Sequence, residues 1–354
     1  MAVSANPITL NGSHGEGGSF LLRTALSMAA LTQQPLRINN IRGATRKPGL
    51  TSEDLTFVTA LSRCCSAECD GDELESSALS FTPQHAPRPL NNSFDIQEHE
   101  KGNIPGNALI VLHALLPVLA RAGAYSRVSV RGETYNPNTL TYDAFERVTL
   151  DLHRKQGLYA YPTLVQAGFG YGGRGEVSMD VEPSLLNGFQ WSARGELQEM
   201  SVVIATAEVP PDIAERGAEQ ARKLFAEMGI AVDVECIEVP SKSAGVFITM
   251  FAHFENGMGS AGAMGARGLR MEVVVKRCFH DFMEWYQSDA TIDPFLADQV
   301  LLPAAVAEGE TVFTTNLVTQ RLQTTTWVIK QFLPIHITLH GQVGEPGKVV
   351  VNRS

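Results

Sequence analysis

One order of elements returns three times along the chain, and it limits the fold more than any single motif. In the first pass, Ile8-Thr-Leu10 reads as a strand. A glycine-rich turn from Asn11 to Gly18 follows, and then a helix with Leu21, Leu22, Ala25, Leu26 and Ala29 at helical spacing. Pro35 to Arg42 alternates as a strand. Thr51 or Ser52 caps a second helix through Asp54, with Leu55, Val58 and Leu61 on one face. Strand-like pieces at Ser66 to Asp70 and Ala78 to Thr82 close the unit. The second pass predicts a helix within Asn103 to Ala122, a strand at Ser126 to Arg131, a helix at Tyr142 to Lys155, and strands at Leu158 to Val165 and Gly175 to Val181. The third predicts helices at Leu296 to Ala307 and Thr319 to Phe332. Its strands are Thr311 to Thr315, Ile335 to Leu339 and Lys348 to Val351. The expected class is α/β, built as α+β repeats: three units, each a four-stranded sheet backed by a helix pair.

The segment from Leu197 to Ser288 breaks this order. It reads as strand, helix, two strands, a glycine-rich flexible loop from Gly257 to Gly268, and a helix from Met271 to Gln287. We expect a small α/β domain over residues 191–288, inserted into a large domain of residues 1–190 and 289–354.

Composition serves as an exclusion. A net charge of −10 argues against a chain coated with basic residues for wrapping nucleic acid, so any such contact is local. Cys64, Cys65, Cys69, Cys236 and Cys278 form no Cys-x-x-Cys pair and suit free thiols in a reducing compartment rather than a zinc site. The first residues carry no charged, apolar leader, and no apolar run reaches membrane-spanning length. The expectation is a cytoplasmic protein with no membrane partner.

The chemistry gathers at Asn11 to Arg23. A strand, a glycine turn and a helix start make a backbone hollow suited to an anion such as phosphate. Glu16 lies inside the turn and Arg23 about one helical turn beyond it, an arrangement that suits metal or nucleotide chemistry. A tight turn whose glycines only supply positive φ accounts for the same residues. Arg46 and Lys47 sit in a basic loop that is either an RNA-phosphate contact or a solvated surface. Trp191, Trp285 and Trp327 read as packing residues.

Gly15-Glu16-Gly17-Gly18, Leu22-Arg23, Ile41-Arg42 and Lys47-Pro48-Gly49-Leu50 together resemble the RNA 3′-terminal phosphate cyclase family. Phe295-Leu-Ala-Asp-Gln299, Leu302-Pro303 and Phe332-Leu333-Pro334 extend the resemblance over nearly the whole chain. It implies a fold of repeated units with an inserted domain, similar to that of enolpyruvylshikimate phosphate synthase. It also implies ATP, a divalent metal (Mg or Mn) and RNA 3′ ends as partners. In such enzymes a histidine attacks the α-phosphate, AMP passes to the RNA 3′-phosphate, and the 2′-hydroxyl displaces AMP to close a 2′,3′-cyclic phosphate. By this resemblance Glu16 holds metal or a phosphate, and Arg23 and Arg42 grip ATP or the RNA phosphate. Phe295 packs on adenine, and Asp298 and Gln299 line the nucleotide pocket.

The departures from the family cluster in the same site. The nucleophile's position, eleven residues before the phenylalanine of Phe332-Leu-Pro, is Arg321. No histidine lies between His280 and His336, and an arginine stays protonated and cannot serve as this nucleophile. The family's usual Gln-His after Pro-Gly-Leu is here Glu53-Asp54. Tyr135 stands where an acid is expected, and the family's glycine signature is altered across Ala167 to Gly175. His14 and His113 are stand-in nucleophiles or, more simply, a turn residue and a core residue. Three readings follow. One is a cyclase with altered nucleotidyl transfer. Another is a degenerate relative that binds RNA ends or an RNA-processing partner. The third is a small-molecule transferase that clamps phosphates.

Overall fold

The computed structural model describes residues 6–99 and 105–352. Its first unit runs β1 (Ile8–Asn11), α1 (Ser19–Thr32), β2 (Leu36–Asn39), α2 (Ser52–Cys65), β3 (Glu68–Asp70) and β4 (Ala78–Thr82). The sheet order is β1-β2-β4-β3, with β1 and β2 parallel and the other pairs antiparallel. A full capping box starts α2: the Thr51 side chain accepts from Asp54 N, and the Asp54 carboxylate accepts from Thr51 N.

The second unit repeats this plan with β5 (Asn91–Asp95), α3 (Ala108–Leu119), β6 (Ser126–Gly132), β7 (Ala160–Gln166) and β8 (Gly175–Val181). The order β5-β6-β8-β7 and the strand directions match those of the first sheet. Its second helix is broken: α4 (Tyr142–Ala144) passes through a π turn, Phe145–Thr149, into α5 (Leu150–Lys155). The helix predicted within Asn103 to Ala122 begins at Ala108. Asn107 caps it by accepting from Leu109 N and Ile110 N, and positions 103 and 104 lie outside the described residues. β5 has no counterpart in the sequence reading.

The middle segment contains β9 (Leu197–Ala207), α6 (Pro211–Glu227), β10 (Asp233–Glu238), β11 (Gly245–Phe254), β12 (Gly257–Met264) and α7 (Met271–Tyr286). The sheet order is β10-β9-β11-β12. The flexible loop predicted from Gly257 to Gly268 is corrected here: its first eight residues are strand β12, paired with β11. The glycines make room for aromatic rings. A Cβ on Gly259 would stand 2.6 Å from the Trp285 ring, and one on Gly262 would stand 2.6 Å from that of Phe247. The central strands β9 and β11 are buried on both faces, as their long apolar runs require, whereas β10 is exposed at the edge. Val203, Ala205, Phe247 and Phe251 join the core shared by the repeats, whereas Val202, Ile204, Ile248 and Met250 form a second cluster under α6 and α7.

The last part holds α8 (Pro294–Val306), β13 (Thr311–Thr315), α9 (Gln320–Phe332), β14 (His336–His340) and β15 (Gly347–Asn352), with sheet order β13-β15-β14. The first-strand position is filled only by single parallel bridges to β13, Gln190 to Val312 and Ile292 to Thr315. Those bridging residues flank the middle segment. The chain therefore departs and returns where the other two units carry a complete first strand. No described helix is long and apolar enough to cross a membrane.

Candidate functional site

Helices α8 and α9 meet beside the glycine turn and bound a cleft of about 610 Å³. A smaller cavity of about 120 Å³ adjoins it. The two share Asn138, Leu140, Phe295, Asp298, Gln299 and Arg321 in their walls. Caps fix the helix starts that form the cleft. Asp293 caps α8 by accepting from Leu296 N at 2.8 Å, and its other oxygen accepts from Ser260 N of β12 at 3.0 Å. That second bond ties the middle segment to the cleft wall. Thr319 caps α9 and donates to Asp298 Oδ1 at 2.5 Å. Burial pushes the Asp293 carboxyl up to about 6, and burial pushes that of Asp298 up to about 7 against the pull of Thr319 and Arg321.

Arg321 lies in the wall between two acids. Its Nη1 is 3.8 Å from Asp298 Oδ2 and its Nε is 3.9 Å from Glu16 Oε2. The guanidinium carbon sits 5.2 Å from the centre of the Phe20 ring, a cation–π placement. Arg321 Nε, Glu16 Oε1 and Asn316 Oδ1 are buried without a hydrogen-bond partner, and all three side chains line the large cleft. Such atoms are costly to leave unpaired and suit a polar ligand. Asn316 and Thr319 are additions to the sequence reading; the only local signal was the capping position of Thr319.

The other expected residues divide. Gln299 is held by Thr149 Oγ1 at 3.0 Å and by the Phe295 carbonyl at 3.0 Å. Phe295 stands at the mouth, 52% exposed. Arg23 lines the smaller cavity with Gln299 and Arg321, but its Nη1 is already paired with Glu53 and Asp54. Arg42 donates to the Gly49 carbonyl at 3.2 Å and lines neither cavity; exposed Arg46 and Lys47 line neither as well.

The glycine turn is less open than a free anion nest. Gly15 and Gly17 both take φ of +60°, and a Cβ on Gly15 would lie 2.1 Å from Thr324 Oγ1 of α9. The N–H groups of Ser13, His14, Glu16 and Gly17 already have protein acceptors, Thr324 Oγ1 among them. His14 stacks on Trp327 with ring centres 3.8 Å apart, and lines neither cavity.

His113 reaches the smaller cavity as one half of a buried pair. Its Nε2 is 3.2 Å from His153 Nε2, and His153 Nδ1 is 3.0 Å from Gln156 Oε1. With that oxygen as acceptor, His153 carries its proton on Nδ1, so His113 must donate from Nε2. Burial drives both imidazoles down, His153 to about 4. Tyr135 also serves packing. It is fully buried against Phe169, 4.9 Å between ring centres, and donates to Asp143 Oδ1. Glu133 holds the altered glycine loop by accepting from Gly172 N.

The sequence model described as RNA 3′-terminal phosphate cyclase matches residues 14–339. The chain belongs to the RNA 3′-terminal phosphate cyclase family. The cyclase of Methylococcus capsulatus is 35% identical over 327 residues, covering 92% of this chain and 91% of that one. That of Nostoc punctiforme is 34% identical, covering 98% and 99%. That of Salmonella agona is 33% identical, covering 99% and 98%. Among solved structures, the enolpyruvyl transferase NikO of Streptomyces tendae matches with a TM-score of 0.38 and 12% identity, over 97% of this chain and 47% of that one, too distant to carry argument. For a member of this cyclase family, the geometry has one departure at its centre. Arg321, where the sequence reading expects the nucleophile, is a guanidinium between Glu16 and Asp298.

Proposed function

We propose that this chain is an RNA 3′-terminal phosphate cyclase-like protein whose large cleft takes ATP and the 3′-phosphate end of RNA. Membership of the cyclase family supports the reaction class. The observation that carries the site is Arg321, with an unpartnered Nε in the cleft wall between Glu16 and Asp298. In this reading Phe295 packs on the base, Gln299 and Asp298 line the nucleotide pocket, and Arg321 and Arg23 face phosphate oxygens. Arg42, Arg46 and Lys47 lie outside the cleft and would meet the RNA strand, where exposed cations act as phosphate contacts.

The described lining of the large cleft carries the carboxyls of Glu16, Asp281, Glu284, Asp293 and Asp298 against the single guanidinium of Arg321. A triphosphate enters such a wall with a cation beside it. That fits a divalent metal, which would be held through the free Oε1 of Glu16 and would neutralise the triphosphate. We also propose that residues 191–288 act as a separate small domain whose β12 edge closes the cleft through Ser260. The test is to incubate the protein with a 3′-phosphorylated RNA, ATP and Mg or Mn. The end should become resistant to phosphatase; an unchanged end would overturn the reading.

A second reading, RNA-end binding without adenylylation, has one observation in its favour. No histidine lines the large cleft among the described residues, and Arg321 stands where the resemblance expects the nucleophile. Binding of the RNA end without any cyclic product would select it.

A further inference from the structure

Arg23 reaches from α1 to the first turn of α2. Its Nη1 donates to Glu53 Oε1 at 2.9 Å and to Asp54 Oδ1 at 3.1 Å. All three side chains are withdrawn from water, at 10%, 16% and 0% exposed. Two carboxyls against one guanidinium overcompensate its charge, and Glu133 adds a third acid close by. This chain has built an acidic clamp around the cation that the proposed function aims at phosphate.

The two acids are not equivalent. Asp54 accepts from Thr51 N, Thr51 Oγ1, Ser19 Oγ and Arg23 Nη1, so its oxygens are fully engaged with donors. Among the described residues Glu53 accepts from Arg23 Nη1 on Oε1 and from Asn107 N on Oε2 at 2.7 Å. Burial raises its pKa, Arg23 and Asn107 oppose the rise, and Asp54 and Glu133 add to it. Among the described residues these are the charged and polar groups that face it from α1, α2, the start of α3 and the end of β6. Glu53 can give up its contact with Arg23 and keep the one with Asn107. Protonated on Oε1, it would no longer offset the charge of Arg23, whose Nη1 would keep Asp54 as its one carboxylate partner and meet an incoming phosphate with more of its charge.

We propose that Glu53 sets the charge of the Arg23 anchor, so that a polyphosphate binds there together with one proton taken from solvent onto Glu53. No covalent bond changes; the proton moves from solvent to the Glu53 carboxylate. The inference rests on the reading that Arg23 meets phosphate. It makes Glu53 a specificity determinant, because a ligand with less negative charge would bind without the proton.

The experiment is titration calorimetry of the intact protein with inorganic triphosphate, in buffers of different ionisation heat at one neutral pH. The wild type should show net proton uptake. Glu53→Gln keeps an acceptor for Asn107 N, so it should bind about tenfold tighter and take up about one proton fewer. The ligand's own protons cancel in that difference. Arg23→Gln should weaken binding in both backgrounds. Equal affinity and equal proton count in wild type and Glu53→Gln would overturn the inference while leaving the site reading intact, provided binding still depends on Arg23. Binding indifferent to Arg23→Gln, or no binding at all, would overturn both. Should Glu53→Gln fold poorly, Glu53→Ser takes its place in the same comparison, and an affinity and proton count equal to the wild type's overturn the proposal.

Discussion

The Arg321 guanidinium stands 3.8 Å from the Asp298 carboxylate, where α8 and α9 face each other across the cleft. Asp298 is 4% exposed, and Thr319 fixes its other oxygen. The acid is therefore a preset partner for whatever side chain occupies position 321. A carboxylate beside an imidazole would orient it and favour its protonated form after proton transfer.

The first prediction follows from that pairing. Incubated with α-labelled ATP and Mg or Mn, the wild-type chain should carry no acid-labile label. Its Arg321 is a poor nucleophile, and His113 is engaged in its pair with His153. Arg321→His should gain a labelled phosphoramidate. Label on the wild type would show another nucleophile. Absence of label in both would mean that the clamp on Arg23 and the loop from Ala167 to Gly175 block adenylylation at position 321.

Arg194 carries the second prediction. It lies just before β9 and holds the C-terminal end of α7, donating to the carbonyls of Trp285, Tyr286 and Ala290. Its guanidinium carbon is 4.3 Å from the Trp285 ring centre and 4.9 Å from that of Phe254. Burial lowers its pKa to about 10, so it remains charged at neutral pH. It joins the two chain segments that enter and leave the middle sheet. Arg194→Ala should cost about 3 kcal/mol in urea unfolding, and Arg194→Lys nearly as much, since an ammonium cannot reach all three carbonyls and stack. A loss under about 1 kcal/mol would show that the cap is incidental.

How much of this was legible beforehand depended on where the physical signal sits. The helices of the repeats announced themselves through apolar spacing, and α2 through Thr51 and Asp54. β5 did not, because Asn91-Asn-Ser-Phe-Asp95 buries only Phe94 and alternates too little to read as a strand. β12 was hidden for the opposite reason. Gly259 and Gly262 look like loop residues until the rings of Trp285 and Phe247 are seen lying over them. Asp298 and Gln299 entered the reading through resemblance alone, and they line the same cavities as Arg321. Arg42 entered the same way, yet it turns back to the Gly49 carbonyl. The pairing of Arg23 with Glu53 depends on how α1 and α2 pack, which no local pattern encodes.

The glycines of β12 give the third prediction. Gly259→Ala would push a methyl to 2.6 Å from the fused rings of Trp285, which is 2% exposed and has no room to retreat. The cost should be about 1–3 kcal/mol of stability, with a shift in Trp285 fluorescence. Gly268→Ala is the contrast: nothing lies within 4 Å of its Cβ position. Its φ of +81° should limit the effect to about 1 kcal/mol of backbone strain, with no spectral change. Equal spectral shifts from both substitutions would contradict the packing account.

The last prediction concerns pH, where two buried groups of the second unit pull in opposite directions. Burial lifts Asp143 to about 7, and its Oδ2 has no partner while Oδ1 accepts from Tyr135. The unfolded carboxyl titrates near about 4, so the folded state holds the extra proton between these values. Stability is then full below about pH 4 and is lost as the pH rises towards 7, by at most about 4 kcal/mol. Burial lowers His153 to about 4, against about 6.5 when unfolded, so the unfolded state holds the extra proton there. This contribution is full above about pH 6.5 and is lost as the pH falls towards 4. The wild-type profile is thus a partial cancellation, and variants separate its parts. Asp143→Asn keeps the acceptor for Tyr135, so its stability relative to wild type should rise from pH 4.5 to about 7 and then level off. His153→Gln should cost stability at pH 8 through its lost bonds to His113 and Gln156, and that cost should shrink as the pH drops below 6.5. Urea midpoints across the range measure both. Parallel curves for wild type and Asp143→Asn would mean that Asp143 is ionised in the folded chain at every pH tested, and that its charge has found a partner.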